Sequence, residues 1–417
     1  MNTFLDKQWC GWRPGEFQIH FIHTGVAESI FIIFPDSTTM LLDCGDQASI
    51  TRGKFAVPVL PGPERLAGDW VARYVRRVNP NGTDVDWAVI SHFHSDHTGI
   101  PSWQKFPGIP DPDEPPRLEG CVRSGIGLAA ETLHFRHAAD RGWPGYDDPL
   151  PLLAGETPVV AGLVRDVWTA LEKRDGLVVE PFRLGATDQF VAERGGAADF
   201  TVRNVCANGR IALPDGSVRD LYAERIAREH PRNLNENAMS LGMIFQYGKF
   251  RFFTGGDFSD WFQGPDGKRV FIEDALADAV GHCDVAKINH HGHHSTGRKL
   301  AESLSPRIWL ACVWDQLHVT DDTAEYLLVP DAPDEAQPMI VPTVLPVRDE
   351  GERPWWRFVP DACRTGCHAV VTVPPGGESY TLTLLDARDE AMRVVFETDF
   401  RHSRIDLPKR RLKSPAK

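Results

Sequence analysis

The run His92-Phe93-His94-Ser95-Asp96-His97 decides how the rest of the chain is read. It places four ligand-type side chains within six residues, directly after Asp86-Trp87-Ala88-Val89-Ile90, an apolar stretch that reads as a strand. Alternate residues of an extended segment point the same way, so His92 and His94 can grip one ion together. Asp96 and His97 follow at once, where a turn or helix start can direct them to a second ion. Imidazole and carboxylate suit Zn2+, Mn2+ or Fe2+. A polar loop with surface histidines is the plainer alternative, and it leaves the apolar strand upstream unexplained.

Working outward, short apolar segments stop again and again at chemistry-bearing residues. Upstream, 17–22, 29–34 and 39–42 read as strands, and the third ends at Asp43-Cys44-Gly45-Asp46. The spacing of Leu66, Trp70, Val71, Tyr74 and Val75 predicts a helix over 67–78, closed by Asn79-Pro80-Asn81-Gly82. Downstream, 240–247 and 250–254 read as a hairpin running into Gly255-Gly256-Asp257. A helix over 272–280 leads to a strand at 285–288, which runs into Asn289-His290-His291-Gly292. A strand at 308–313 leads to Trp314-Asp315-Gln316-Leu317-His318. This alternation predicts a mixed α/β (α+β) chain.

Residues 101–235 read as a long insert rich in Pro, Gly and charge, with a helix over 159–173 and a strand-like piece at 200–205. A connection of that length carries structure of its own and is expected beside the active site. Its aromatics and arginines, as in Arg141-Gly142-Trp143-Pro144-Gly145-Tyr146, suit either a nucleotide contact or a packed patch, and packing is the favoured reading. The expected organisation is a hydrolase-like domain over 1–330 and a C-terminal extension over 331–417. That extension would carry one hairpin (369–373 with 380–385) and the basic tail Lys409-Arg410-Arg411-Leu412-Lys413.

Composition limits the classes. A net charge of −13 disfavours a long nucleic acid as partner, while leaving a nucleotide or other small substrate open. No run of about eighteen apolar residues suggests a membrane span, and the first residues lack a secretory pattern. A cytoplasmic protein with its eight cysteines reduced is expected. Cys363-Arg364-Thr365-Gly366-Cys367-His368 offers half a zinc site with no second half, so it is read as structural. Nothing in the sequence sets an oligomeric state.

The motif His92-x-His94-x-Asp96-His97 resembles the signature of the metallo-β-lactamase superfamily, and further stations occur in that family's order. Asp43-Cys44-Gly45 resembles its early aspartate-glycine element, Thr254-Gly255-Gly256-Asp257 its Gly-Asp element, and Asn289-His290-His291-Gly292 the segment carrying its last histidine. With Asn237-Ala238-Met239-Ser240-Leu241, the pattern is similar to the ComEC/Rec2-like branch. The resemblance spans about 17–328 and implies an αββα sandwich with a long insert and a small C-terminal β extension.

It also implies roles. His92 and His94 would serve one ion, and Asp96, His97 and His290 or His291 the other, with His290 preferred because it lies nearer its strand. Asp257 would bridge, Asp43 would orient a histidine, and His318 would protonate a leaving group. One or two Zn2+ or Mn2+ ions would activate water. Two departures stand out. Asn237 occupies the place of the family's third histidine and would be a weak ligand, with His230 as its alternative. Gly25-Val26-Ala27-Glu28 replaces a turn ending in aspartate, so Glu28 is expected to supply the acid. The resulting function is a metal-dependent hydrolase, with phosphodiesterase or nuclease-like activity first. A carbonyl hydrolase for a lactone, amide or thioester is the alternative, followed by a non-catalytic metal-binding protein of the same fold.

Overall fold

A computed structural model describes residues 7–47, 57–100, 118–146, 157–224, 235–263, 269–346 and 351–402. The basic tail and His230 lie outside the described residues. The strands run in chain order as β1 (Phe17–Phe21), β2 (Ser29–Ile33), β3 (Thr39–Cys44), β4 (Asp84–Val89), β5 (His134–Asp140) and β6 (Val178–Pro181). Next come β7 (Phe200–Ala207), β8 (Arg210–Ala212), β9 (Val218–Asp220), β10 (Gly242–Tyr247), β11 (Phe250–Thr254), β12 (Trp261–Gln263) and β13 (Arg269–Phe271). The last are β14 (Val285–Lys287), β15 (Ile308–Ala311), β16 (Met339–Pro342), β17 (Cys367–Val373), β18 (Ser379–Asp386) and β19 (Val394–Arg401). Helices are α1 (Ala67–Val78), α2 (Ser95–Thr98), α3 (Gly125–Ala129), α4 (Thr157–Asp175), α5 (Ala277–Val280), α6 (Arg298–Leu304) and α7 (Asp321–Leu327).

Two large mixed sheets carry the fold. The first has the order β19-β18-β17-β1-β2-β3-β4-β5-β6, the second β16-β15-β14-β11-β10-β7-β8-β9. They share one apolar core. Phe17 of β1 meets Phe200 and Phe245 of the second sheet at ring distances of 5.1 and 6.1 Å, and Phe21 meets Phe252 at 6.2 Å. Burying each such side chain contributes about 1.5–3 kcal/mol. The alternate residues Phe31, Ile33 and Leu41 join a second cluster with Val71, Val75, Ile126, Val164 and Trp168, so α1, α3 and α4 cover the other face of the first sheet. Leu300, Leu304 and Leu327 of α6 and α7 pack into the inter-sheet core cluster.

The long segment after the histidine motif is built into both sheets. β5 and β6 extend the parallel run from β3 and β4, while β7, β8 and β9 extend the second sheet beside β10. β5 escapes a hydropathy reading because its outward positions are polar: Arg136 reaches Asp86 and Glu193, and His137 stacks on Trp87 at 4.7 Å. The C-terminal strands likewise do not stand apart. β17 pairs with the whole length of β1, from Phe17 opposite Val373 to Phe21 opposite Ala369, and β18 and β19 follow. A lone hairpin would leave Ala369, Val371, Leu382 and Leu384 in water; joined to the sheet they are buried. β16 lies within 331–417, ahead of the one hairpin expected there, and the helix expected over 272–280 is a 3-10 turn (Ile272–Leu276) followed by the short α5.

The topology sets where chemistry can gather. β3 and β4 are parallel neighbours, as are β11 and β14, so their carboxyl ends lie side by side. Those four ends deliver Asp43, the histidine motif, Asp257 and the His290-His291 pair.

Beside β1, His20 bonds Tyr74 Oη at 3.0 Å and His23 bonds Thr343 Oγ1 at 3.2 Å, both wholly buried. Burial pushes both rings down to about 3, so they are neutral in the fold and take up protons on unfolding below about pH 6.5. Their contribution to stability is therefore complete above pH 6.5 and is lost as pH falls toward 3, by up to about 1.4 kcal/mol per pH unit each. In denaturant titrations from pH 6.5 to 4, His20→Gln is expected to flatten the slope of stability against pH by about 1 kcal/mol per unit. An unchanged slope contradicts this account of the buried ring.

Candidate metal centre

The motif begins where β4 ends. Ser91 N–H and Oγ–H both donate to the Asp43 carboxylate, each at 2.7 Å. Asp43 sits at the end of β3 with φ 59°, a conformation costly for a residue with a Cβ. The motif then turns into α2, and the turn is laced to the first sheet: Glu28 N–H donates to Asp96 O, Gly45 N–H to Glu28 O, and Asp46 N–H to Ser95 O. A Cβ on Gly45 would lie 1.8 Å from Asp96 O, so only glycine allows this approach.

Two histidines define the centre. His97 Nδ1 lies 2.8 Å from Asp43 Oδ2, an acceptor, so this nitrogen carries a proton and Nε2 is the one turned to the centre. Nε2 faces Asp257 Oδ2 at 3.0 Å and Asp96 Oδ2 at 3.7 Å. His291 repeats the arrangement. Its Nδ1 donates to Cys312 O at 2.9 Å and lies 3.3 Å from Glu28 Oε2. Its Nε2 lies 3.0 Å from Asp96 Oδ2, 3.2 Å from Asp257 Oδ2 and 3.3 Å from His97 Nε2. Glu28, His97, Asp257 and His291 are buried, with ligand-type atoms all within 4.8 Å of one another. Imidazole nitrogens held from behind and aimed with carboxylates at one point form a donor set for a divalent ion. These residues can hold a metal.

The electrostatics agree. Burial opposes charge on the rings, yet Asp257, Asp96 and Asp43 raise His97 well above the ordinary histidine range, and Asp257, Asp96 and Glu28 do the same for His291. Against the same burial, His291 and His97 hold Asp257 well below the carboxylate range. The pocket demands positive charge.

The structure separates the candidates. His92 and His94 form a second pair, Nε2 to Nδ1 at 3.1 Å, and His92 Nε2 lies 3.9 Å from Asp257 Oδ2. Asp257 Oδ2 thus faces both pairs, and the His92 ring packs on that of His97, centroids 4.2 Å apart. The preference for His290 does not match the placement. Both His290 and His291 take left-handed φ (48° and 52°), and this turn carries His291 into the cluster while His290 Nε2 faces Asn237 Nδ2 at 3.2 Å. Asn237 Oδ1 is buried with no hydrogen bond. Glu28 does bring a carboxylate to the centre, where it grips Lys287 Nζ at 3.1 Å. His318 is buried and stacks on His291, ring centroids 5.0 Å apart. Burial, with His291, His290 and His293 nearby, pushes it well below the usual histidine range. Cys363 and Cys367 are free thiols with sulfurs 3.8 Å apart, in keeping with a structural reading.

Two supports were not legible. Lys287, the last residue of β14, is wholly buried and donates to Gly256 O at 2.6 Å, with Nζ 3.5 Å from Asp257 Oδ1. A cationic lysine inside a strand that ends in two histidines was the available signal. Arg141 belongs to no nucleotide face. It is buried against Glu236, Nε to Oε1 at 2.9 Å and Nη2 to Oε2 at 3.0 Å, and Glu236 Oε1 also accepts Phe93 N–H at 3.0 Å. The pair therefore pins the motif between His92 and His94 from the far side.

In comparisons with protein families and with curated proteins, nothing matches this chain, so the functional reading rests on the site.

Removing one partner of a buried ion pair leaves an uncompensated charge and costs about 3–5 kcal/mol. Glu236→Ala is expected to lower unfolding free energy by that amount, measured by denaturant titration. A loss below about 1 kcal/mol would show that the pair does not anchor the motif.

Proposed function

We propose that this chain is a metal-dependent hydrolase of the metallo-β-lactamase kind, acting on phosphodiesters. The observation that carries the reading is the convergence of His97 Nε2 and His291 Nε2 on Asp96 and Asp257, each ring tied from behind. Two mixed sheets sharing one core, with helices packed against them, suit the sandwich that the motif resemblance implies. The phosphodiester class follows from the similarity of the Asn237, Gly255-Gly256-Asp257 and His290-His291-Gly292 stations to the ComEC/Rec2-like branch.

Asp96, His97, Asp257 and His291 would hold the ion, and His92 and His94 lie next to them, where a second would be served. A divalent ion such as Zn2+ or Mn2+ supplies acidified water and neutralises charge developing on the attacked group. The chain's own part is orientation. Asp43 and Cys312 O fix the two rings, and Lys287 restrains Asp257 Oδ1 while its Oδ2 faces the histidines. Asn237 Oδ1 offers an acceptor beside His290. A leaving-group donor needs a proton to give at neutral pH, and the surroundings of His318 favour its neutral ring. His318 therefore enters the proposal as the wall behind His291.

The test is hydrolysis of bis(p-nitrophenyl) phosphate by protein stripped and reloaded with Zn2+ or Mn2+. Metal-dependent turnover is expected, with Asp96→Ala at least 100-fold slower and still folded by circular dichroism, on the order of what losing one positioned polar group costs. Folded, metal-loaded protein inactive on phosphodiesters but active on a lactone or thioester would overturn the substrate class. An Asp96→Ala variant with full activity would overturn the site.

A further inference from the structure

A second group of metal-ligating side chains lies apart from this centre. His282 and Asp284 immediately precede β14, whereas the first cluster begins where β14 ends, about 10 Å along an extended strand. His402 follows the last residue of β19, at the far edge of the first sheet. The fold brings these remote segments together: His402 Nδ1 is 2.9 Å from Asp284 Oδ1, the His282 and His402 rings are 6.1 Å apart, and one ligand-type atom from each of the three residues lies within 4.8 Å of the others.

We propose that His282, Asp284 and His402 form a second divalent-metal site, of zinc-binding chemistry, that ties the end of β19 to the start of β14. The donor set is two imidazoles and one carboxylate, the ligand classes of a three-residue zinc site completed by water. Asp284 is prepared for it. Its side chain is fully buried, Oδ2 accepts Arg251 N–H at 2.9 Å, and Oδ1 is turned to His402. The carboxylate is therefore fixed in direction, as the outer contacts of a ligand should fix it. Arg251, beside the cluster, is directed to backbone: its guanidinium donates to the carbonyls of His282 at 2.6 Å and Val280 at 2.8 Å, holding the loop that carries His282.

The site links segments that no single sheet connects. β19 belongs to the first sheet and β14 to the second, and beside the site the Tyr380 hydroxyl of β18 donates to Asp284 O at 3.4 Å. A metal here would act as a clip between the sheets, at the point where the chain leaves β19.

The experiment is zinc content after dialysis against buffered Zn2+, measured by plasma mass spectrometry on the full chain. Wild type is compared with His402→Gln and His282→Gln, each also in an Asp257→Ala background so that the first centre is reported separately. Loss of one equivalent of zinc per chain in both variants and in both backgrounds is expected. With it should go the zinc-dependent rise in unfolding temperature that the Asp257→Ala chain retains. Zinc content unchanged in either folded variant overturns the three-residue site, whatever the first centre does.

Discussion

Everything at the centre depends on two imidazoles being held from behind. A hydrogen bond that holds the proton on one ring nitrogen fixes which nitrogen is offered to a metal, and here those bonds come from different parts of the chain. Asp43, at the end of β3, takes the Nδ1 proton of His97; Cys312 O, just past β15, takes that of His291. One tie comes from each sheet. The packing of the two sheets on their shared phenylalanine core therefore sets the separation of the two Nε2 atoms, and the site is a readout of how the sheets are stacked.

Backbone constraints complete the arrangement. The glycine at 45 lets the end of β3 touch the motif turn, and left-handed backbone at Asp43, His290 and His291 aims side chains that a regular strand would send elsewhere. Such conformations cost about 1–3 kcal/mol each and persist where surrounding contacts enforce them. The buried Arg141–Glu236 pair is one of those contacts, since it fixes the backbone of Phe93 between two ligand candidates. Lys287 is another. It places a buried cation against Asp257 and Glu28, adding to the positive charge that His97 and His291 bring to the same carboxylates.

Much of this was legible because strand ends are legible. Apolar runs stopping at Asp43, His92, Asp257 and His290-His291 identified four stations, and parallel pairing of β3 with β4 and β11 with β14 joins them. Local sequence could not choose between His290 and His291, because the choice is made by two consecutive positive φ angles that no hydropathy pattern reports. Nor could it show that 134–140 is a strand, since Arg136 and His137 satisfy long-range partners on its polar face. The C-terminal segment was read as an appendage for the same reason: the need to bury Val371 and Leu382 is visible, but the partner, β1, lies some 350 residues away in sequence. Arg141 and Glu236 were silent because an ion pair across such separations has no spacing rule.

The central claim is that a divalent ion sits among Asp96, His97, Asp257 and His291. It is tested most directly by anomalous diffraction at the zinc absorption edge from crystals of the full chain grown with Zn2+. A peak within coordination distance, about 2.0–2.2 Å, of His97 Nε2, His291 Nε2 and an oxygen of Asp96 or Asp257 is the predicted result. Zinc-soaked crystals whose anomalous map is empty at that point, with those side chains ordered and hydrogen-bonded only to one another, would contradict it.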